Sequence, residues 1–549
     1  MAEQDLRDVA FPRLDEAQVA RLARCAGASV KRYRSGEALF RTGERNFNFY
    51  AVRSGQVEIR DESGDAPKVI TVHGPGEFTG EVGQLTGTPA VVTAVARGDT
   101  EVYELTTESL RQALNQCPDV GDIIVQAFIA RRHLLQQPGS FTGVRVIGSR
   151  HSKATFCIRE FLAKNRVPYT WLDLESHPEV GRLLDQLGVS EAETPVVAWG
   201  HKLILRNPSE RQLAEALGLR QLLDQPTYDL VVVGAGPAGL AAAVYGASEG
   251  LTTVVLEREG PGGQASRSMR IENYLGFPTG VTGGELTERA VVQATRFGAR
   301  LPAATPVTGL TFDSRYSVLH LDDGTTVTAK CLLIATGAEY RRLVAEGCER
   351  FEGCGVYYAA TAVEAPVCQG ADAAVVGGGN SAGQAAVYLS TIARKVYLVV
   401  RGDSLYKDMS AYLACRIERT ENIEVRLRSV VKSMDGDEQL RTVVIENLET
   451  GERRAAEVAA LFSFIGATPR TDWLPPEIDR DDKQFVQTGG AVARSPHWTV
   501  PRQPLLLETS HPGVFAAGDV RSGSIKRVAS AVGEGATAIQ LVHEYLREL

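Results

Sequence analysis

The chain has 549 residues, 44% of them hydrophobic and 23% charged, with a formal net charge of -8. At roughly 150 residues per domain that length calls for three or four cores, and the acidic balance argues against nucleic acid or an anionic membrane as the main partner. The opening stretch MAEQDLRDVAFPRLDE is acidic and broken by proline, unlike a signal peptide, and no uncharged apolar run is long enough to cross a bilayer, so a cytoplasmic protein is expected.

Two polar, proline-containing stretches, residues 136–143 and 221–227, read as linkers. They set off residues 1–137 and 143–220 from a long remainder that begins at 228. The eight cysteines include no C-x-x-C and the nine histidines are scattered, so neither a structural disulfide framework nor a metal site is expected.

In the first segment, short strands punctuated by glycine (RYRSGEALFRTGE, FYAVRSGQVEIRD, KVITVHGPGEF) precede helical stretches over residues 108–137. That spacing predicts a β-roll flanked by helices. The run GPGEFTGEVGQLTGTPAVVTAVA resembles the phosphate-binding cassette of cyclic-nucleotide-binding domains. The resemblance implies a short helix opening at Gly80 and Glu81, whose amides would cradle a cyclic phosphate, and it gives Glu81 the ribose 2′-hydroxyl. Where that family has an arginine after the proline, Ala90 follows Pro89; losing such a charge-assisted contact costs ~1.5–3 kcal/mol. A nucleotide site and a docking or dimerisation module both remain open readings.

The second segment predicts the order β-α-β-α-β-β-α. Ile158, Phe161 and Leu162 fall on one helical face, and Ser209 with Gln212 makes a capping box. This order on about 80 residues resembles glutaredoxin and thioredoxin, with Thr194-Pro195 where that family places a cis-proline. The resemblance puts Ser152, Lys153, Ala154 and Thr155 where its C-x-x-C would stand, and neither Ser nor Thr supplies a thiolate near neutral pH. Cys157, two positions beyond, reads as a packing residue.

The third segment opens with the strand YDLVVV running into GAGPAGLAAA. Gly234, Gly236 and Gly239 have the spacing of a dinucleotide turn, and Glu257, eighteen residues past Gly239, ends the next strand where a carboxylate would bond a ribose. A second copy follows: Gly377, Gly379 and Ala382 fill the turn, with Asn380 between them. Its next strand leads to Arg401, which can pair with a 2′-phosphate and so favours NADPH over NADH, with Lys407 as a second contact; Gly402 and Asp403 weaken that preference. Two such folds in one chain predict a flavoprotein that takes hydride from a nicotinamide.

GGQASRSMRIENYLGFP (residues 262–278), ATG (335–337), VFAAGDVRSG (514–523) and KRVASAVGEGA (526–536) resemble, in this order, the FAD-contact motifs of thioredoxin reductase. The resemblance runs from residue 228 to the end. It implies flavin contacts at Gly263, Gln264, Asn273, Ala335 and Gly337, an aspartate for the ribityl chain at Asp519, and a helix opening at Val528 and Ala529 toward the flavin pyrimidine. It also implies a homodimer. The fold class is then multidomain α/β: a β-roll over 1–137, a thioredoxin-like domain over 143–220, and an FAD-binding domain in two halves, 228–340 and 471–549, with a NAD(P)H-binding domain over 341–470 between them.

Thioredoxin reductases carry their C-x-x-C just before the second glycine run; here those positions are Ala359 and Ala362. The favoured reading is an FAD-dependent NAD(P)H oxidoreductase delivering electrons to a non-thiol acceptor such as oxygen, a quinone, ferredoxin or flavodoxin, with possible regulation by the first domain. A sensor or scaffold holding FAD as a ligand is the second reading, and disulfide reduction through Cys348, Cys354 or Cys368 the third.

Overall fold

The structure, a computed structural model, describes residues 3–63, 67–137, 141, 143–177, 179–199, 203–221, 223 and 225–548. Parts of both expected linkers, residues 138–140, 142, 222 and 224, lie outside the described residues.

Glycine-punctuated strands fold first into an antiparallel roll. Its order is Ser29–Tyr33, Thr93–Leu105, Phe49–Asp61, Lys68–His73, with Ala38–Phe40 also pairing to Thr93–Leu105. Helices Thr107–Gln116 and Pro118–Gln136 close one side, burying Leu110, Leu114, Ile124 and Phe128 against Phe49 and Phe78. One expectation fails here: Cys25 and Cys117 pair as a disulfide. Folding of the roll brings together two residues 92 apart in sequence, a proximity that spacing along the chain does not encode.

The second unit has strand order Tyr169–Leu172, Val144–Ile147, Val196–Trp199, Leu203–Arg206, the first pair parallel and the others antiparallel. Ser152 caps the helix Lys153–Lys164 by accepting from Thr155 N, and Ile158, Phe161 and Leu162 are buried on its inner face. The Ser209–Gln212 capping box is present, and Thr194-Pro195 is cis.

The remainder holds two main sheets, the first mixed, with Tyr316–Leu321 and Val307–Asp313 added antiparallel beside Thr326–Ile334, and the second parallel. Thr227–Val233 is central to the first, between Thr253–Leu256 and Thr326–Ile334, and Val514–Ala516 joins the far side of Thr326–Ile334 from near the chain end. Its β-branched run is buried on both faces, as a central parallel strand requires. Small residues of the helix Pro237–Ser248 let it pack on the sheet and on the last helix, Val528–Glu548; a Cβ at Gly535 would lie 2.1 Å from Ala238 O. The second sheet is wholly parallel, in the order Val356–Tyr357, Ala460–Ser463, Asp372–Val376, Lys395–Val399, Ile423–Arg426. The chain crosses between the two units along an antiparallel pair, Ala338–Tyr340 with Ala467–Pro469.

No described helix is long and apolar enough to cross a membrane. Among the described residues no group of three His, Cys, Asp or Glu side chains could hold a metal ion.

Candidate functional site

The first glycine turn ends the strand Thr227–Val233. Gly234 has φ +104, and a Cβ there would lie 2.4 Å from Ala335 O; a Cβ on Gly239 would lie 1.9 Å from Gly234 O. Both clashes are with backbone, so neither position accepts a side chain. Gly236, between them, faces open space apart from Gly263, whose own added Cβ would lie 3.0 Å from Gly236 Cα. Glu257 follows the strand Thr253–Leu256 and turns inward, accepting from Ala235 N at 2.7 Å and Glu259 N at 3.1 Å. Burial pushes its carboxyl up, and the two amides oppose that.

Around this turn stand several of the sequence-selected residues. Gln264 donates to Ala338 O, Gly337 has φ +65, and Ala335 is buried against Gly234. Asp519 is half-buried, its carboxyl pushed up by burial, and no hydrogen bond to that carboxylate is formed among the described residues. Val528 and Ala529 begin the last helix, next to Lys526, whose Nζ donates to Asp519 O at 2.6 Å. Asn273 is the outlier: it is exposed, beside Glu272, which accepts from Arg416 of the neighbouring unit. An orphaned half-buried carboxylate, a cradle that Cβ atoms would fill and the free amides of a helix N-terminus fit a dinucleotide bearing hydroxyls and phosphates.

The second turn is built alike with a different rim. A Cβ on Gly377 would lie 2.8 Å from Phe464 O, whereas Ala382 is accommodated and fully buried. Gly379 caps the helix Asn380–Ser390, and Asn380 accepts from Ser410 N at 2.8 Å, fixing the following loop. On that loop Arg401 and Lys407 are exposed, and neither makes an ion pair or hydrogen bond among the described residues.

Ala359 is buried and Ala362 exposed. Burial pushes the nearby thiols of Cys348 and Cys354 above the ordinary value and Cys368 to about 12, which disfavours their thiolate forms.

In the roll, a cavity of about 380 Å³ is lined by Gly80, Glu81, Ala90, His73, Arg131 and Phe11 among others. Glu81 pairs with Arg132, leaving its Oε1 buried without a partner. Arg131 donates to Ala10 O, Gly80 O and Phe78 O at 2.7, 2.7 and 3.0 Å. His73 is buried, and burial together with Arg131 holds it below its ordinary value, neutral. Sequence reasoning missed these three residues. The only signal was two consecutive arginines inside the apolar run FIARRHLL.

Residues 228–535 match the family model described as pyridine nucleotide-disulphide oxidoreductase, and residues 30–117 match the one described as cyclic nucleotide-binding domain. Thioredoxin reductase of Treponema pallidum is 34% identical over 323 residues, covering 59% of this chain and 98% of the relative. A 34.2 kDa protein in the rubredoxin operon of Clostridium pasteurianum is 30% identical, with the same coverage. Among solved structures, Lactococcus lactis thioredoxin reductase aligns at TM-score 0.53 and 30% identity, and that of T. acidophilum at 0.53 and 27%; each covers 59% of this chain and the whole of the other.

Proposed function

Because the chain belongs to the pyridine nucleotide-disulphide oxidoreductase family, we propose that it is a thioredoxin-reductase-like oxidoreductase that draws electrons from NAD(P)H through FAD and gives them to a non-thiol acceptor. The observation that carries this reading is the pairing of two complete glycine turns with Ala359 and Ala362 at the dithiol positions. The candidate acceptors are oxygen, a quinone, or a one-electron carrier such as ferredoxin or flavodoxin.

FAD, when bound, supplies a ring system that accepts a hydride and can release electrons singly or in pairs. The chain's part is to hold and polarise it. Gly234, Gly236 and Gly239 would admit the pyrophosphate, Glu257 would take the ribose and Asp519 the ribityl hydroxyls, with Gln264 and Asn273 at the flavin. Amides of Val528 and Ala529 at the helix N-terminus would favour negative charge on the pyrimidine side. At the second turn, Arg401 and Lys407 favour NADPH, with NADH the alternative donor. The domain limits 137, 143–220, 340 and 470, and a homodimer, belong to the same proposal.

A regulatory reading of the N-terminal cavity has its own support. Arg132 joins the Glu81 carboxylate to Arg166 O at 3.0 Å, and Arg166 donates to Gly284 O at 2.8 Å on the FAD-side helix Gly283–Arg296. A cyclic nucleotide or another ligand contacting Glu81 would therefore press on the flavin-binding unit.

The test is steady NAD(P)H oxidation with oxygen, a quinone, ferredoxin and a protein disulfide supplied one at a time. Turnover with at least one non-thiol acceptor is expected. Turnover with the disulfide alone, abolished by Cys354→Ser, would overturn the reading. Negligible turnover with every acceptor, combined with ligand-dependent changes in assembly, would establish the sensor instead.

A further inference from the structure

The helix Lys153–Lys164 lies between the two dinucleotide units and is bonded to both. Toward the second unit, Lys153 faces Glu352 at 3.9 Å, Phe156 packs on Tyr357 with ring centroids 5.2 Å apart, and Arg159 donates to Val363 O at 3.1 Å. Phe156, partly buried, packs against the hydrophobic core of that unit. Toward the first unit, Glu160 pairs with Arg267 at 2.9 Å, Lys164 with Glu259 at 2.6 Å, and Asn165 donates to Glu259 O at 2.8 Å. Glu259 also receives Arg470, which reaches Glu339 at 3.1 Å. Those last two residues sit on or beside the crossing strands, so the network grips the joint itself.

A joint of two short strands leaves two packed units free to swing unless something else spans them. Here the spanning element is the thioredoxin-like unit. Across this interface Lys153 and Phe156 pack on Gly353 and Tyr357, with Cys157 on one element and Cys354 on the other, while positions 152, 155, 359 and 362 carry no thiol.

We infer that residues 143–220 are the resident occupant of the face beside Ala359–Ala362 and strap the NAD(P)-binding unit in one orientation against the FAD-binding unit. A separate thioredoxin-fold protein then has no access to that face. The inference stands on the interface and does not require the oxidoreductase reading.

A cross-link tests it in the full-length holoprotein. A Cβ built at Gly353 lies 3.6 Å from Lys153 Cβ, within the ~3.5–4.5 Å that a disulfide spans. In the double variant Lys153→Cys, Gly353→Cys, mild oxidation should link the two peptides completely, and flavin reduction by NADPH should proceed at the rate of the unoxidised variant. Partial linkage, or loss of flavin reduction on linking and its recovery on reduction, would overturn the strap, because the units would have to swing. A second arm avoids the strain of replacing Gly353, whose φ is +77. Phe156→Ala with Arg159→Ala should raise hydrogen exchange of the amides in 353–363 while leaving the far strands Lys395–Val399 and Ile423–Arg426 protected. Unchanged exchange in 353–363 would contradict the strap. Failure of the parent protein to be reduced by any nucleotide would count against the oxidoreductase reading alone, since linkage and exchange are read without it.

Discussion

The two glycine turns end equivalent strands in the same way and differ in what surrounds them. In the first, Gly239 has no room for a methyl group, and Glu257 is turned inward onto the turn's own amide. In the second, Ala382 fills the corresponding place, and Arg401 and Lys407 point to solvent from an exposed loop. A ligand seated in the first turn would be enclosed, while one in the second would meet solvated charge at its rim. The difference suits a resident cofactor beside an exchanging one.

Methyl groups break the comparison most sharply. Gly239→Ala places a Cβ against Gly234 O, and overpacking of this kind costs ~1–3 kcal/mol or more; the purified protein is expected to lose its yellow colour on gel filtration and to melt earlier. The mirror change, Ala382→Gly, costs only ~0.5–1 kcal/mol of helix stability, and nucleotide binding by titration should persist. Glu257→Ala removes the acceptor of two amides along with the proposed ribose contact; at ~1–3 kcal/mol it should weaken FAD retention about ten- to a hundredfold in equilibrium dialysis. Arg401→Ala should raise KM for NADPH about tenfold or more, from a charge-assisted bond of ~1.5–3 kcal/mol, and leave KM for NADH unchanged. Equal effects on the two nucleotides would remove Arg401 from the 2′-phosphate.

The smallest effect is one of pH, at the seam between roll and FAD unit. His133 is 3.1 Å from Glu288, and that hydrogen bond raises the histidine above its ordinary 6.5. A raised folded value means that the contact contributes fully below pH 6.5 and is lost as pH rises through the folded value. Melting temperature should therefore fall slightly over that rise, and His133→Gln should flatten the dependence.

The strands flanking the two glycine turns were legible because they are short apolar runs leading into glycine or a charged residue, and the thioredoxin-like order because caps such as Ser209–Gln212 mark helix starts, whereas the remaining strands of both sheets were not read. Contacts between residues far apart in sequence were not legible. Nothing local in FIARRHLL says that Arg131 grips three carbonyls of the roll or that Arg132 takes Glu81, and nothing in Ser152–Thr155 says which surface the helix will cover. The pairing of Cys25 with Cys117 escaped for the same reason. Such contacts depend on how distant segments fold and dock together, and sequence periodicity reports only the local elements.

The most direct measurement is anaerobic titration of the purified yellow protein with NADPH, followed by reoxidation with a quinone, ferredoxin, oxygen and oxidised thioredoxin in separate trials. NADPH should bleach the flavin band, and a non-thiol acceptor should restore it while thioredoxin does not. Recovery with thioredoxin alone, or no bleaching with either nicotinamide nucleotide, would contradict the proposed function.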